Sequence, residues 1–248
     1  MRLISYGIFL KIKTMDIKDQ IINGPGYAIA PIDDLKCFEK LRKVITQKLQ
    51  SNKSKIDIEK LRIKMMTMSK SEINNVMVGL LSFNQASEIM LKSCRNIVKK
   101  LSGEEVFLQR RANIIFNLPG KEQRRQWPHY ELMSGVSPFT YIIWAPFHDL
   151  DDDGGVFYID QTKSFKTIKK EHKQGLVNGP LILKNNYNEK PAKLKYGEVI
   201  IFNPFILHGN INFTSSMARI ACSIRFQSIK KPLMQKNTDY YKYYKVNQ

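Results

Sequence analysis

Leu194-Lys-Tyr-Gly-Glu-Val-Ile-Ile-Phe-Asn-Pro-Phe-Ile-Leu-His208-Gly-Asn210 is the stretch that decides how the second half of the chain folds. Its core, Val199-Ile-Ile-Phe202, is a short unbroken apolar run rich in β-branched residues. A Gly-containing turn leads into it, the pattern of a buried strand. A histidine stands where the apolar text ends. Seventy-nine residues earlier lies Trp127-Pro-His-Tyr-Glu131. Side chains on an extended segment alternate with a period of two, so His129 and Glu131 share one face. His208 completes a set of three metal-ligating candidates. Two imidazoles and one carboxylate on one face of a metal leave the other face open, the facial arrangement of non-haem Fe(II) oxygenases. A lone His-x-Glu also arises by chance, so the weight falls on what surrounds His208.

Arg219 follows His208 by eleven residues. The text from 210 to 216 is polar and turn-prone, and 217 to 226 is strand-like again, so His208 and Arg219 are expected on neighbouring antiparallel strands facing one pocket. An arginine there suits a dicarboxylic cosubstrate, because its planar fork grips a carboxylate through two parallel hydrogen bonds and keeps its charge.

The order His-x-acid, then a Gly-Glu-apolar strand ending in His, then Arg, resembles the Fe(II)/2-oxoglutarate-dependent dioxygenase superfamily, in particular its phytanoyl-CoA-dioxygenase-like branch. Ser134-Gly-Val-Ser-Pro-Phe-Thr-Tyr-Ile-Ile-Trp-Ala-Pro-Phe-His-Asp149 and Ser223-Ile-Arg-Phe-Gln-Ser228 are similar to the streptomycin-type and sporadic carbohydrate cluster oxygenases. The likeness covers roughly residues 105 to 235, and weakly Gly26 to Ala30. It implies that His129, Glu131 and His208 hold Fe(II), that Arg219 anchors the distal carboxylate of 2-oxoglutarate, and that Ser223 or Tyr141 adds a hydroxyl donor to the cosubstrate. It also implies O2 as oxidant, succinate as coproduct and ascorbate as an accessory reductant. The family more often carries Asp where Glu131 stands. Glutamate still supplies an oxygen ligand, which keeps the expectation of a hydroxylase, whereas a small residue would have pointed to a halogenase.

Composition agrees with one enzyme domain spanning 1–248: mostly helical support over 1–104, a catalytic core over 105–235 and a tail over 236–248. At 43% hydrophobic and 25% charged, the chain is neither disordered nor membrane-embedded, and it has no apolar run long enough to span a bilayer. Cys37, Cys94 and Cys222 are odd in number and widely spaced, so they form neither a disulfide framework nor a zinc motif. That pattern fits a cytoplasmic protein. Met1 to Leu10 has a charge and a short apolar stretch, but Lys11, Lys13 and the missing cleavage site argue against a signal peptide, and Met15 is an equally good start. The net charge of +18 invites a nucleic-acid reading. The lysines are spread along the chain rather than clustered with aromatics, so nucleic acid is not the expected partner. A composition rich in Lys, Ile and Asn reads more as nucleotide bias in the coding sequence; its milder functional reading is attraction of an anionic substrate such as a nucleotide sugar, a phosphorylated sugar or an acidic glycan, and the resemblance implies a small carbohydrate-type substrate.

The first hundred residues read as helical. Asp33 or Asp34 caps a helix carrying Leu35, Phe38, Leu41, Val44, Ile45 and Leu49 at three-to-four spacing. Further helices are expected over 56–68 and 71–101, the latter broken near 82–84, with the methionines filling core gaps. From Val106 the period changes. Strands are expected at 107–109, 112–117, 129–132, 140–145, 156–159, 192–195, 198–202 and 219–226, separated by Pro-, Gly- and Asp-rich turns. Eight such strands imply a mainly β fold with α elements: two facing sheets, a double-stranded β-helix of jelly-roll, cupin-like type, with an N-terminal helical layer. Asp151 to Gly155 reads as a hairpin turn rather than a calcium loop.

Arg225, six residues beyond Arg219 on the same strand face, and Arg110 or Arg111 are candidate substrate contacts; surface ion pairs are the competing role for each. His148 is a further candidate, with a supporting role as its alternative, and His172 is expected in solvent. Two other classes stay open. The same triad would serve an oxygenase acting on nucleic acid or protein, and an inactive jelly-roll sugar-binding module would need no triad at all.

Overall fold

A computed structural model describes residues 16–49, 57–69, 71–73, 75, 83, 85–118, 128–151, 156–174, 191–210, 215–234 and 239–247. The helices α1 (Ile17–Ile22), α2 (Leu35–Leu49), α3 (Ile58–Met65), α4 (Ala86–Ser93) and α5 (Arg95–Ser102) precede most of the strands, and α6 (Gln161–Lys173) falls among them. The strands are β1 (Tyr27–Pro31), β2 (Glu105–Gln109), β3 (Asn113–Asn117), β4 (Tyr141–Pro146), β5 (Val156–Tyr158), β6 (Glu198–Phe202), β7 (His208–Asn210), β8 (Arg219–Ser228) and β9 (Tyr241–Lys245). Seven form one sheet in the order β1-β6-β4-β8-β2-β9, with β3 also on β8; β5 and β7 form a second, two-stranded sheet.

The period of two along the central strands sorts their side chains into two layers. Ile143, Ala145, Val199, Ile201, Ile220, Cys222, Ile224 and Phe226 pack in one core with Phe38, Leu41, Ile45, Leu61, Met65, Met90 and Val98 of the helices. The intervening residues Ile142, Trp144, Ile200, Phe202 and Ala221 form a second cluster with Tyr158, Leu150 and Leu194, so the small sheet packs on the opposite face.

Helix starts follow cap chemistry. The carboxylates of Asp57 and Asp160 accept the backbone N–H groups of Lys60 and Lys163 at 2.8 and 3.0 Å. The adjacent aspartates 33 and 34 divide their work. Asp34 caps α2 through Cys37 N–H at 2.9 Å, and Asp33 reaches α5 through Asn96 N–H at 2.7 Å, 63 residues away. Met65, Met68 and Met90 are buried, as gap-filling core predicts. Leu35 stays exposed, and the bounds of α3 are tighter than expected. Leu80 and Leu81 lie outside the described residues; of the expected break near 82–84 only residue 83 is described, and of the turn at 151–155 only Asp151. Among the described residues the chain breaks at Cys94, between α4 and α5.

Several expectations need correction. Residues 129–132 are not a strand: His129 makes an isolated bridge, and Glu131–Ser134 is a 3-10 helix. Residues 192–195 reduce to a bridge at Leu194. His208 and Arg219 are not on neighbouring strands: β7, itself outside the expected set, pairs with β5, and β8 lies in the large sheet, so the two residues reach one cavity from different sheets. Three further elements are new. Strand β1 pairs with β6, and β9 pairs with β2, so the tail is part of the large sheet. Helix α6 turns Ser164, Ile168 and Glu171 inward, and two polar residues on the buried face hide its amphipathic period.

His148 also belongs to the scaffold rather than to a substrate contact. Its Nδ1 donates to the Asp149 carbonyl at 2.7 Å, and its Nε2 accepts the Ile220 N–H at 3.2 Å. Protonation would destroy the second bond. Burial, with the nearby Arg62 charge, depresses its pKa to about 4. The unfolded chain therefore takes up a proton near pH 6.5 that the folded one refuses. The stability contributed is complete above pH 6.5 and is lost as pH falls through about 4. On going from neutral pH to about pH 4, wild type is expected to lose about 3 kcal/mol more stability than His148→Gln. Urea unfolding at a series of pH values measures this, and parallel curves for the two proteins would contradict it.

Candidate metal centre

Two segments far apart in sequence meet backbone to backbone. His129 N–H donates to the His208 carbonyl and His208 N–H to the His129 carbonyl, both at 2.9 Å. This reciprocal bridge sets the two rings 4.3 Å apart at 52°. Tyr130 remains extended, which carries Glu131 to the His129 side as a strand would. The chain then turns. Glu131 N–H donates to the Pro204 carbonyl at 3.0 Å, and Gly135, at φ 78°, closes the 3-10 helix in the left-handed region that glycine tolerates. The ligand atoms of His129, Glu131 and His208 lie within 4.8 Å of one another. In a facial set with bonds of about 2.0–2.2 Å, neighbouring donors sit about 3 Å apart, so the side chains draw together by up to about 2 Å to close the set around a metal.

The proton inventory favours a cation here. His208 Nδ1 lies 2.9 Å from the Ile206 carbonyl, which can only accept, so Nδ1 carries the hydrogen. Its Nε2 is then a bare lone pair, and it faces Glu131 Oε1 at 3.7 Å. Burial, reinforced by the neighbouring His129, pushes the His208 pKa down to about 3, so no proton fills the gap at neutral pH. Burial by itself would raise the pKa of Glu131. The charge of Arg225 outweighs it and holds the carboxyl below its usual range. Two electron-rich atoms held toward one point without a proton form a cation site. The Ile206 backbone carbonyl orients His208. Asn203 ties its loop to the Ile21 carbonyl.

The cavity beside these ligands, about 40 Å³, is lined by Trp144, Tyr158, Phe202, Arg219, Ser223 and Arg225 among others. Tyr158 stacks on the His208 ring at 5.7 Å and 13°, with Phe202 4.8 Å away. Sequence analysis did not single out Tyr158, Trp144 or Asn113 for the site; alternation along their strands was the available signal. Arg219 is buried, its Nη2 donates to Asn210 Oδ1 at 2.6 Å, and its guanidinium lies 5.9 Å from the Trp144 ring centre. Burial lowers its pKa only to about 10, so it stays charged.

Among the other residues read from the sequence, Ser223 lines the cavity. Tyr141 does not. It precedes Ile142 on β4, so it points to the helix-side core and borders a separate cavity of about 330 Å³ with Phe139, Phe165 and Phe205. Arg225 lines the cavity but holds Glu131: its Nε and Nη2 donate to Glu131 Oε2 at 2.8 and 2.5 Å. Arg110 is exposed, and its Nε donates to the Tyr241 carbonyl at 3.1 Å, fastening β9. Arg111 is exposed in the turn between β2 and β3. Neither lines the cavity. His172, exposed on α6, meets the Tyr130 hydroxyl at 3.3 Å.

No protein-family model matches the sequence, and no curated protein matches it significantly. Among solved structures, the fold is similar to a nickel complex of ThoJ, a non-heme monooxygenase, at 10% identity over 91% of this chain and 86% of that one, with a TM-score of 0.52. It is also similar to HygX from Streptomyces hygroscopicus with nickel and 2-oxoglutarate bound, at 10% identity over 94% of this chain and 98% of that one, with a TM-score of 0.51. At such identities the shared property is the fold.

His129→Ala and His208→Ala are each expected to keep wild-type circular dichroism while weakening Fe(II) binding by more than about 100-fold, since loss of an outer partner alone typically costs ~10–100-fold. Anaerobic titration checks this. Undiminished iron affinity in either variant would remove that histidine from the site.

Proposed function

We propose that this chain is an Fe(II)- and 2-oxoglutarate-dependent oxygenase that hydroxylates a small metabolite, a sugar or sugar-containing intermediate. The observation that carries the iron assignment is the convergence of His129, Glu131 and His208, with the lone pair of His208 Nε2 and the anionic Glu131 Oε1 directed at one point. Two imidazoles and a carboxylate suit Fe(II) and leave coordination positions for cosubstrate and oxygen. The likeness to HygX, which binds nickel and 2-oxoglutarate, supports the cosubstrate. We read the large sheet and the small one as the two faces of a double-stranded β-helix. Bound there, the iron and keto acid supply the oxidation: O2 is split, 2-oxoglutarate becomes succinate and carbon dioxide, and one oxygen enters a substrate C–H bond.

The chain's own residues bind and orient. Arg219 takes the far carboxylate of 2-oxoglutarate. The Asn210 amide oxygen stands on its Nη2 where a carboxylate oxygen would, and gives way as the cosubstrate enters. Ser223 lies on the same strand face and adds a hydroxyl. Trp144, Tyr158 and Phe202 wall the site with aromatic surface, which limits water. An anionic substrate is favoured by α6, whose Ile168 packs with Tyr130 and Leu207, the neighbours of the two ligating histidines, while Lys163, Lys166, Lys169, Lys170 and Lys173 are exposed on it.

Arg219→Ala is expected to raise the KM for 2-oxoglutarate roughly 10- to 150-fold, the equivalent of about 1.5–3 kcal/mol for a charge-assisted pair. Steady-state kinetics against 2-oxoglutarate measure it, and an unchanged KM would move the anchor elsewhere.

The substrate class is read from substrate-stimulated succinate formation across sugar nucleotides, aminocyclitols, acyl-CoA thioesters and oligonucleotides. Stimulation is expected with the first two. A response confined to acyl-CoA or oligonucleotides would refute the carbohydrate assignment and leave the oxygenase assignment standing.

A further inference from the structure

Glu131 uses its two oxygens differently. Oε2 accepts both Arg225 Nε and Arg225 Nη2, and Oε1 faces His208 Nε2. Arg225 is itself held from behind. Its Nη1 donates to Gln109 Oε1 on β2 at 3.3 Å, and the Tyr240 phenol, one residue before β9, lies beside the same guanidinium. Gln109 Nε2 in turn donates to Asn113 Oδ1 at 3.1 Å. The guanidinium, 8% exposed, is therefore engaged by Glu131, Gln109 and Tyr240 at once, which leaves little of its fork for a substrate.

We propose that Arg225 is the positioning residue of the metal-binding carboxylate. It occupies Oε2 so that Glu131 presents Oε1 alone to the metal, and through Gln109 and Tyr240 it couples the metal site to the C-terminal strand. The inference rests on the metal-site reading above. Its physical basis is that a carboxylate with both oxygens free can rotate or chelate through two atoms. Two N–H groups on one oxygen fix the torsion and the identity of the ligand atom. Glu131 has one more rotatable bond than aspartate, so such a restraint matters more here. The strand that supplies Arg225 is paired on both edges, so the guanidinium cannot follow the carboxylate if that moves.

The test uses the full chain and Co(II) alone, without cosubstrate or substrate. Co(II) affinity is measured by titration, the visible absorption of the cobalt centre reports its coordination, and thermal melts of the metal-free proteins report folding. Arg225→Lys keeps the positive charge and loses the paired N–H groups, so it isolates geometry from charge. Its expected signature is a Co(II) affinity weaker by about 10- to 100-fold, with a changed visible spectrum as the second oxygen becomes available. Tyr240→Phe and Gln109→Ala are expected to shift affinity in the same direction by a smaller factor, and they carry the test if Arg225→Lys does not fold. Wild-type affinity and spectrum in Arg225→Lys, or in both outer variants should that one be unfolded, would overturn the positioning role and leave the metal site intact. A wild-type chain that binds no Co(II), or a His129→Ala variant that binds it as tightly as wild type, would instead overturn the metal-site reading and this inference with it.

Discussion

Strand β8 is the constraint on which the rest of the molecule depends. It is paired along both edges, with β4 on one side and with β3 and then β2 on the other, and nine of its ten residues are buried. Its odd-numbered residues Arg219, Ser223 and Arg225 line the metal cavity. The even-numbered Ile220, Cys222, Ile224 and Phe226 sit in the helix-side core. A slip by one residue would exchange the two sets. It would drive two guanidinium groups among Met90, Leu41 and their neighbours without partners, at a cost of several kcal/mol for each unpaired charge. The register is thus enforced by chemistry on both faces, and the parity of β4 and β6 follows from pairing with it directly or through β4.

The small sheet depends on that arrangement in turn. Its strand β7 starts at His208, and the reciprocal bridge to His129 brings in the second histidine and the carboxylate. Neither segment carries enough regular structure to define the site alone. What holds them is packing: Tyr158 and Phe202 against the His208 ring, and Ile159, Ile168 and Leu207 around Tyr130. Helix α6 is fastened to the same place, where Ser164 Oγ donates to the Ile159 carbonyl and accepts Leu207 N–H, both at 3.0 Å.

The charges follow one logic. Glu131 stays anionic despite burial because Arg225 neutralises it, and His208 stays neutral because burial makes a second positive charge there costly. His148, buried on the helix side of the same strands, stays neutral for the further reason that its Nε2 must accept a backbone N–H. Two buried histidines with the same protonation state therefore differ in what their free lone pair meets: for His148 an N–H, for His208 another electron-rich atom.

The sequence by itself determined the identity of the three ligand candidates and the central strands. Val199 to Phe202 could be read because an unbroken β-branched run has one stable environment. His129, Glu131, His208 and Arg219 could be read because polar residues interrupting apolar text need a reason to be there. Only the tertiary structure decided what each remaining polar group touches. Arg225 and Arg219 share a strand face, yet one meets Glu131 and the other Asn210. Tyr141 and Ser223 looked equivalent as hydroxyl donors until parity on their strands put them on opposite faces of the sheet. Helix α6 and strand β9 were illegible because their burial is conferred by partners far along the chain: Ser164 and Glu171 are inward because of the segment at Ile159 and Leu207, and Tyr241 because β2 offers an edge. Local text encodes periodicity and ligand chemistry. Which oxygen of a carboxylate is left free depends on atoms 94 residues away, and that separation is closed only by folding.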